Sequence, residues 1–170
     1  MEEPAVTGNG HEPTIVAFFC NWCTYTAADL AGTSRMKYPS NARVIRVMCS
    51  GRIDPQFIVD AFAQGADGVL IGGCHPGDCH YAEGNYKALR RITLLRTMLR
   101  QMGIAEERLR LEWISASEGE KVARVIREMV QTLRGLGRLD LPGRRAQWDM
   151  EILPHEAPTA AAAAAAADGR

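Results

Sequence analysis

The chain has 170 residues, a length that suits one domain with its own core, and its 20 basic side chains balance 20 acidic ones. A net charge of zero excludes a general attraction to nucleic acid or to anionic membranes. No apolar run reaches the roughly 20 residues that cross a bilayer, and residues 1–13 lack the apolar stretch of a signal peptide, so we expect a cytoplasmic protein without nucleic-acid or membrane partners.

In the first half of the chain, one continuously apolar run typical of a strand buried on both faces and two further strand-like runs predict three strands. They are residues 14–20, 42–48 and 67–73. A short helix is predicted over residues 24–31. A second helix is predicted over residues 55–64, because Asp54 and Pro55 are suited to the N-cap and first helical positions.

Helical spacing predicts a long amphipathic helix over residues 85–102, ended by Gly103. Its expected apolar face is Tyr86, Leu89, Ile92, Leu95 or Leu99, and Met102. Its remaining surface is rich in lysine and arginine, which would either be solvated or dock an acidic partner. Alternation over residues 108–115 predicts a fourth strand at or near a sheet edge. Ser117 and Glu120 fit a capping box that opens a last helix, which ends near residues 135–137.

Strand and helix alternate four times, which predicts an α/β fold with a parallel sheet and helices on both faces. We therefore expect a single doubly wound domain, Rossmann-like or flavodoxin-like, with a mostly parallel four-stranded sheet over residues 14–137. Residues 1–13 are expected to be a flexible N-terminus. The Pro/Ala-rich residues 141–170, which include eight consecutive alanines, are expected to form a disordered tail.

The five cysteines all follow predicted strands: Cys20 and Cys23 the first, Cys49 the second, and Cys74 and Cys79 the third. The carboxyl ends of parallel strands lie at one edge of a sheet, so we expect these thiols to converge there. An iron–sulfur cluster needs about four thiolates, which five cysteines can supply. This pattern predicts an electron-transfer protein in which four of the five cysteines bind the cluster. Cys20 is the one expected to fall outside the set, because it ends a buried strand.

Several neighbours of these cysteines are candidates for a surrounding shell that orients and tunes a cluster. Glycines allow backbone N–H groups to approach sulfur closely. The candidates are Trp22, Gly51, Gly73, His75, Gly77 and His80. The two histidines are alternatively iron ligands or plain surface residues.

Other uses of the same cysteines remain open from spacing alone. Thiolates in a tetrahedral array also bind zinc, so a zinc-stapled interaction module is one alternative. Cys20 and Cys23 form a C-x2-C motif that is typical of thioredoxin-like thiol–disulfide oxidoreductases. Cysteine also packs as a small buried residue in many cores.

Five sequence blocks are more specific than any single motif. They read FCNWC over residues 19–23, RVMCSGR over 46–52, GCHPGDCHY over 73–81, GNY over 84–86 and RLEWISASEGE over 110–120. Together they resemble the delta, iron–sulfur subunit of methyl-viologen-reducing hydrogenase. The resemblance extends from about residue 14 to residue 136.

The resemblance implies a [2Fe-2S] cluster bound by four of the five cysteines. It also implies a relay that passes electrons between a hydrogenase or other dehydrogenase and the flavoprotein subunit of a heterodisulfide reductase, where electron bifurcation occurs. On this hypothesis the chain is a non-catalytic component of an oxidoreductase complex. Its cofactor would be the [2Fe-2S] cluster alone.

Overall fold

The fold consists of four strands and four main helices within residues 10–141 and 143, which are the residues that the computed structural model describes. The strands are β1 (Ile15–Cys20), β2 (Ala42–Val47), β3 (Gly68–Gly73) and β4 (Leu109–Trp113). The helices are α1 (Thr26–Thr33), α2 (Pro55–Ala63), α3 (Gly84–Gln101) and α4 (Gly119–Leu136). A π-helical turn, Asn21–Tyr25, joins β1 to α1. Each predicted strand and helix is therefore present, with small shifts at its ends.

The four strands pair in parallel in the order β2-β1-β3-β4. In register, Phe18 of β1 lies beside Ile45 of β2 and Ile71 of β3, and Ile71 lies beside Leu111 of β4. This is the order of the first four strands of a flavodoxin-like sheet, in which the strand order reverses between β1 and β3. The predicted α/β doubly wound fold is confirmed.

One hydrophobic core lies between the sheet and the α1/α4 layer. Ile15, Ala17 and Phe19 point toward this side, because alternate residues of a strand face the same way. They pack against the apolar stripe of α4, including Val122 and Ile126, and all five side chains are buried. Helices α2 and α3 pack on the sheet through β3 and β4 and contact each other. Both faces of the central strands are thus covered, which explains their continuous apolar sequences.

Strand β2 lies at a sheet edge, so Val44 and Ile45 are exposed. One expectation about exposure differs from the structure. On α3 the buried stripe is Ala88, Ile92, Leu95 and Leu99. Three residues of the predicted apolar face are exposed instead: Tyr86, Leu89 and Met102. The buried face of α3 is rotated from the predicted face by about one residue position.

The predicted capping box at α4 is wrong. The helix begins at Gly119, one residue before Glu120, and has no side-chain hydrogen bond at its cap. Ser117 Oγ instead contacts Ser115 Oγ at 3.1 Å. Glu118 takes the position expected of the serine, and its carboxylate is occupied elsewhere, as described below.

Asp67 is a buried polar centre at the amino ends of the strands, which the sequence analysis did not identify. Its carboxylate accepts hydrogen bonds from the N–H groups of Thr14 and Leu139, both at 2.9 Å, and contacts His11 Nε2 at 3.0 Å. Its backbone carbonyl accepts a hydrogen bond from the buried guanidinium of Arg108. The side chain therefore ties the start of β1 to the segment that follows α4.

Replacing Asp67 with alanine should lower the free energy of unfolding by about 2–6 kcal/mol. The N–H groups of Thr14 and Leu139 would each lose an acceptor, at a cost of about 1–3 kcal/mol per group. Urea denaturation measures the difference. Asp60→Ala, at an exposed position of α2, is the matched control and should change stability by less than about 0.5 kcal/mol. An equal effect of the two changes would contradict this account of Asp67.

The two chain ends lie largely outside the described residues. The structure does not describe residues 1–9 of the expected flexible N-terminus, nor most of the expected tail. Within that tail, Leu141 and Gly143 are described and are helical. Among the helices of the described part, none combines the length and the apolar character that a membrane crossing requires.

Candidate iron–sulfur site

The five cysteines lie at the carboxyl ends of three adjacent strands. Cys20 is the last residue of β1, Cys23 lies in the π-helical turn, Cys49 follows β2, and Cys74 directly follows β3, with Cys79 five residues later. Since β1 lies between β2 and β3, the loops that carry the thiols are neighbours. Their location is the switch point between β1 and β3, where open α/β sheets bind ligands.

The five sulfur atoms form two groups. In the three-sulfur group, Cys74 Sγ lies 2.7 Å from Cys23 Sγ and 3.7 Å from Cys20 Sγ. In the two-sulfur group, Cys49 Sγ lies 3.7 Å from Cys79 Sγ. Two thiolates that share a tetrahedral metal, with bonds of about 2.3 Å, lie roughly 3.8 Å apart. Two of the three sulfur pairs therefore have the spacing of thiolates on one metal.

The two groups are close enough to affect each other electrostatically. The charge of Cys79 contributes to the raised pKa of Cys23, and the charge of Cys20 contributes to that of Cys49. The principal cause of both raised pKa values is burial, which also raises the pKa of Cys74. Thiols in this setting stay protonated until a cation compensates the charge, which a metal does by binding the thiolate.

Cys79 differs from Cys23, Cys49 and Cys74, because its pKa is lowered. Burial opposes ionisation there, but hydrogen bonds from the N–H groups of Tyr81, Asn85 and Gly84 outweigh it. Gly84 and Asn85 form the first turn of α3, whose unpaired N–H groups and positive dipole end favour an anion. The thiolate form of Cys79 is thus stabilised by the chain itself.

Two glycines permit the close packing of the two-sulfur group. A Cβ on Gly84 would overlap Cys49 Sγ and lie 3.1 Å from Cys79 Sγ. A Cβ on Gly51 would in turn lie 2.7 Å from the Cα atom of Gly84. Gly51 also donates its N–H to Cys49 Sγ at 3.4 Å. The loop after β2 and the start of α3 therefore meet around the sulfur atoms with no room for side chains.

Asn85 connects the two halves of the site. It is buried, and its side-chain amide donates hydrogen bonds to the carbonyl oxygens of His75 at 2.7 Å and Cys74 at 3.3 Å. Its own N–H points to Cys79 Sγ. One residue therefore fixes the Cys74 loop and also contributes to the environment of Cys79.

The candidate shell residues have different roles in the structure. Gly51 donates to sulfur, whereas Gly73 packs against Trp113 and Gly77 provides a turn with φ of +95°. The ring of Trp22 stacks on that of His80, with centroids 4.0 Å apart, and donates a hydrogen bond to Tyr81 Oη at 3.3 Å. Trp22 is 43% exposed, so these rings form an outer surface that spans two cysteine loops.

His75 faces Glu118 rather than the sulfur atoms. Its Nε2 lies 2.7 Å from Glu118 Oε2, which also accepts the N–H of Ser115 at 2.7 Å. The hydrogen bond from the Ser115 N–H and then that from His75 lower the pKa of Glu118 to about 2. This contact joins the Cys74 loop to the loop before α4.

The low pKa of Glu118 predicts an acid-dependent loss of stability. Because the folded-state pKa lies below the ordinary value of 4.5, the carboxylate contributes stability at pH above 4.5. That contribution is lost as pH falls from 4.5 toward 2. Urea denaturation over this interval should show a smaller decline for Glu118→Gln than for the wild type. Parallel declines in the two proteins would show that Glu118 has no such role.

Comparison with known proteins places the chain in a family. Residues 15–137 match the model of the family described as methyl-viologen-reducing hydrogenase, delta subunit. The chain belongs to this family. The resemblance drawn from the five sequence blocks is thereby confirmed, and the match includes all five cysteines and every strand of the sheet.

Three relatives of this chain illustrate two kinds of similar protein. The iron-sulfur subunit of the F420-non-reducing hydrogenase of Archaeoglobus profundus is 61% identical over 126 residues, which are 74% of this chain and 92% of that protein. The vhc iron-sulfur subunit of the F420-non-reducing hydrogenase of Methanococcus voltae is 59% identical over 74% of this chain and 88% of its own length. The second kind is a component of the ferredoxin/F420H2-dependent CoB-CoM heterodisulfide reductase of Methanosarcina acetivorans, which is 50% identical over 74% of this chain but only 16% of its own length.

The structure adds residues that the sequence analysis of this delta-subunit chain did not select. Gly84 and Asn85 lie within a block that carried the resemblance, yet their contacts with Cys49, Cys74 and Cys79 join segments far apart in sequence. Within the described part, no three or more histidine, cysteine, aspartate or glutamate side chains are arranged around one point suited to a single metal ion.

Proposed function

We propose that the chain binds a [2Fe-2S] cluster through four of its five cysteines and relays single electrons within an oxidoreductase complex. The observation that carries the proposal is the pairing of sulfur atoms at 3.7 Å in both groups. Cys49 and Cys79 would bind one iron. Cys74 and either Cys20 or Cys23 would bind the other. Five thiol sulfurs match the soft, anionic donors that ferric and ferrous iron prefer with sulfide.

The proposed partners rest on the family resemblance, and the names of the relatives support them only at the level of the two complexes. A hydrogenase or another dehydrogenase would supply electrons, and the flavoprotein subunit of a heterodisulfide reductase would receive them. Relatives of both kinds support this assignment, since one is named as part of a hydrogenase and another as part of a heterodisulfide reductase. The bound cluster would supply reversible one-electron chemistry. The chain would bind and orient it, limit water, and stabilise its charge. The cytoplasm, where thiols stay reduced, is the proposed location.

The chain's own groups suit a charged cluster. Backbone N–H groups of Gly51, Tyr81, Gly84 and Asn85 point at cysteine sulfurs, and such donors stabilise thiolates and raise the reduction potential. Near-complete burial of Cys20 and Cys74 acts in the other direction, since a low-dielectric setting disfavours added negative charge. The potential would be the balance of these two effects.

Thiol–disulfide exchange by Cys20 and Cys23 is less well supported. An attacking cysteine needs an accessible thiol with a lowered pKa. Cys20 is only 1% exposed, and burial raises the pKa of Cys23. The short sulfur contact in this loop also joins Cys23 to Cys74 rather than to Cys20.

Metal and sulfide analysis of anaerobically purified protein tests the cofactor. We expect two irons and two acid-labile sulfides per chain, visible absorption that bleaches on reduction, and an EPR signal from the one-electron-reduced form. Stoichiometric zinc without labile sulfide would instead identify the chain as a zinc-stapled module. Stopped-flow mixing of the reduced protein with the flavoprotein of a heterodisulfide reductase tests the relay, and the absence of electron exchange would reject that partner.

A further inference from the structure

Two buried hydroxyl groups at the site have no hydrogen-bond partner in the part of the chain that the structure describes. Thr24 Oγ1 and Ser50 Oγ are both inaccessible to solvent, since each residue is 0% exposed. A buried hydroxyl without a partner costs about 1–3 kcal/mol, so nearly all such groups in folded proteins are paired. These two hydroxyls therefore point to an acceptor other than the described residues of the chain.

Thr24 lies beside the three-sulfur group. It directly follows Cys23 in the π-helical turn and packs against Gly72, the residue two positions before Cys74. A Cβ on Gly72 would lie 2.8 Å from Thr24 Oγ1, so only a glycine leaves space for this hydroxyl. The oxygen is thus enclosed between the Cys23 turn and the end of β3.

Ser50 lies beside the two-sulfur group, as Thr24 lies beside the three-sulfur group. It directly follows Cys49, and a Cβ on Gly73 would lie 2.9 Å from Ser50 Oγ. Gly73 is the residue that precedes Cys74, so this hydroxyl is enclosed between the Cys49 loop and the same strand end. Each sulfur group therefore has one unpaired hydroxyl, and both hydroxyls contact the strand that leads into Cys74.

Sulfur is the acceptor that best accounts for this arrangement. Cluster sulfides and cysteine thiolates accept hydrogen bonds, and hydrogen bonds to them are one of the factors that set the potential. An added electron increases the negative charge on sulfur, so a hydroxyl donor stabilises the reduced form more than the oxidised form. Buried water is the competing explanation, because such waters also pair with orphaned polar groups.

We propose that the hydroxyl groups of Thr24 and Ser50 donate hydrogen bonds to sulfurs of the [2Fe-2S] cluster and thereby raise its reduction potential. This inference rests on the proposed function. It makes the two residues tuning groups that act on the cluster without binding iron.

The test is an EPR-monitored redox titration of the cluster-loaded protein and of the variants Thr24→Val and Ser50→Ala. We expect full iron and sulfide content and a more negative potential in each variant. A tenfold change in the one-electron reduction equilibrium, which corresponds to about 59 mV, is the expected size per hydroxyl. Thr24→Ser and Ser50→Thr keep the hydroxyl and should restore the wild-type potential.

Thr26→Val is the matched control, because Thr26 Oγ1 is exposed and already donates to the carbonyl oxygens of Asn21 and Trp22. Its potential should equal that of the wild type. Unchanged potentials in Thr24→Val and Ser50→Ala, with intact clusters, would overturn the inference and favour buried water.

Loss of the cluster is also informative. Loss of the cluster from Thr24→Val, with a full cluster in Thr24→Ser, would support the role of the Thr24 hydroxyl. Loss from Ser50→Ala, with a full cluster in Ser50→Thr, would support the role of the Ser50 hydroxyl. Loss in both variants of a pair would reduce that residue to a packing role and overturn the inference for it. Absence of labile sulfide from the wild type would refute the proposed function itself, an outcome distinct from all of these.

Discussion

If the chain binds the proposed [2Fe-2S] cluster, Cys74→Ser should remove it from the protein. Cys74 is the only member of the three-sulfur group that contacts both of the others, at 2.7 Å and 3.7 Å. Serine keeps the size of the side chain but replaces the soft thiolate with a hard, weakly acidic oxygen. The loss of iron affinity should exceed the roughly 10- to 100-fold typical of changes in residues that only support metal ligands. Iron and sulfide analysis with visible spectroscopy measures it.

The same experiment on Cys20 and Cys23 provides the control for Cys74. Five thiols are present and four are needed, so we expect one of Cys20→Ser and Cys23→Ser to keep the cluster. The 3.7 Å spacing from Cys74 makes Cys20 a suitable ligand, although its place at the end of a buried strand led the sequence analysis to leave it out. A full cluster in Cys74→Ser would remove that residue from the ligand set.

Gly84→Ala should disrupt the site through a single added methyl group. Gly84 does not have a positive φ, so alanine is compatible with its backbone, and the effect arises from space alone. The new Cβ would overlap Cys49 Sγ and approach Cys79 Sγ, which would separate the two-sulfur group or shift α3. Overpacking of this kind costs about 1–3 kcal/mol. We expect lower thermal stability together with a large loss of bound iron.

Gly135→Ala is the matched control for Gly84→Ala. Gly135 also lies in a helix, α4, and a Cβ there would have no atom within 4 Å. Because Gly135 lies in the last turn of α4, the change should stabilise the protein by less than the roughly 0.5–1 kcal/mol of a helix interior and should leave the cluster unchanged. Equal iron content in the two variants would contradict the close approach of α3 to Cys49.

The sequence was informative where local patterns determine structure. Continuous apolar runs predicted β1 and β3, because both are buried on two faces, and the Asp54-Pro55 pair predicted the start of α2, where Asp54 accepts the N–H of Gln56. The capping box failed because Glu118 accepts the N–H of Ser115 and contacts His75. The contact with His75 joins residues far apart in sequence, so no local pattern encodes it.

The site shows the same division between local and long-range information. The positions of the cysteines after strands followed from the strand pattern. Their separation into two sulfur groups depends on contacts such as those of Gly84 with Cys49 and Asn85 with Cys74. The missing partners of Thr24 and Ser50 emerge only when burial and geometry are known.

The position of Asp67 has a consequence for changes made to this fold. Asp67 joins Thr14 and Leu139 at the amino ends of the strands, whereas the sulfur atoms lie at the carboxyl ends. The hydrogen bonds of Asp67 and the cysteine sulfur atoms thus lie at opposite ends of the strands of one sheet. A change at the Asp67 end therefore need not alter the surroundings of the sulfur atoms. The region that aligns with this chain is 92% of one relative and 16% of another, so it forms most of one protein and a small part of a longer one.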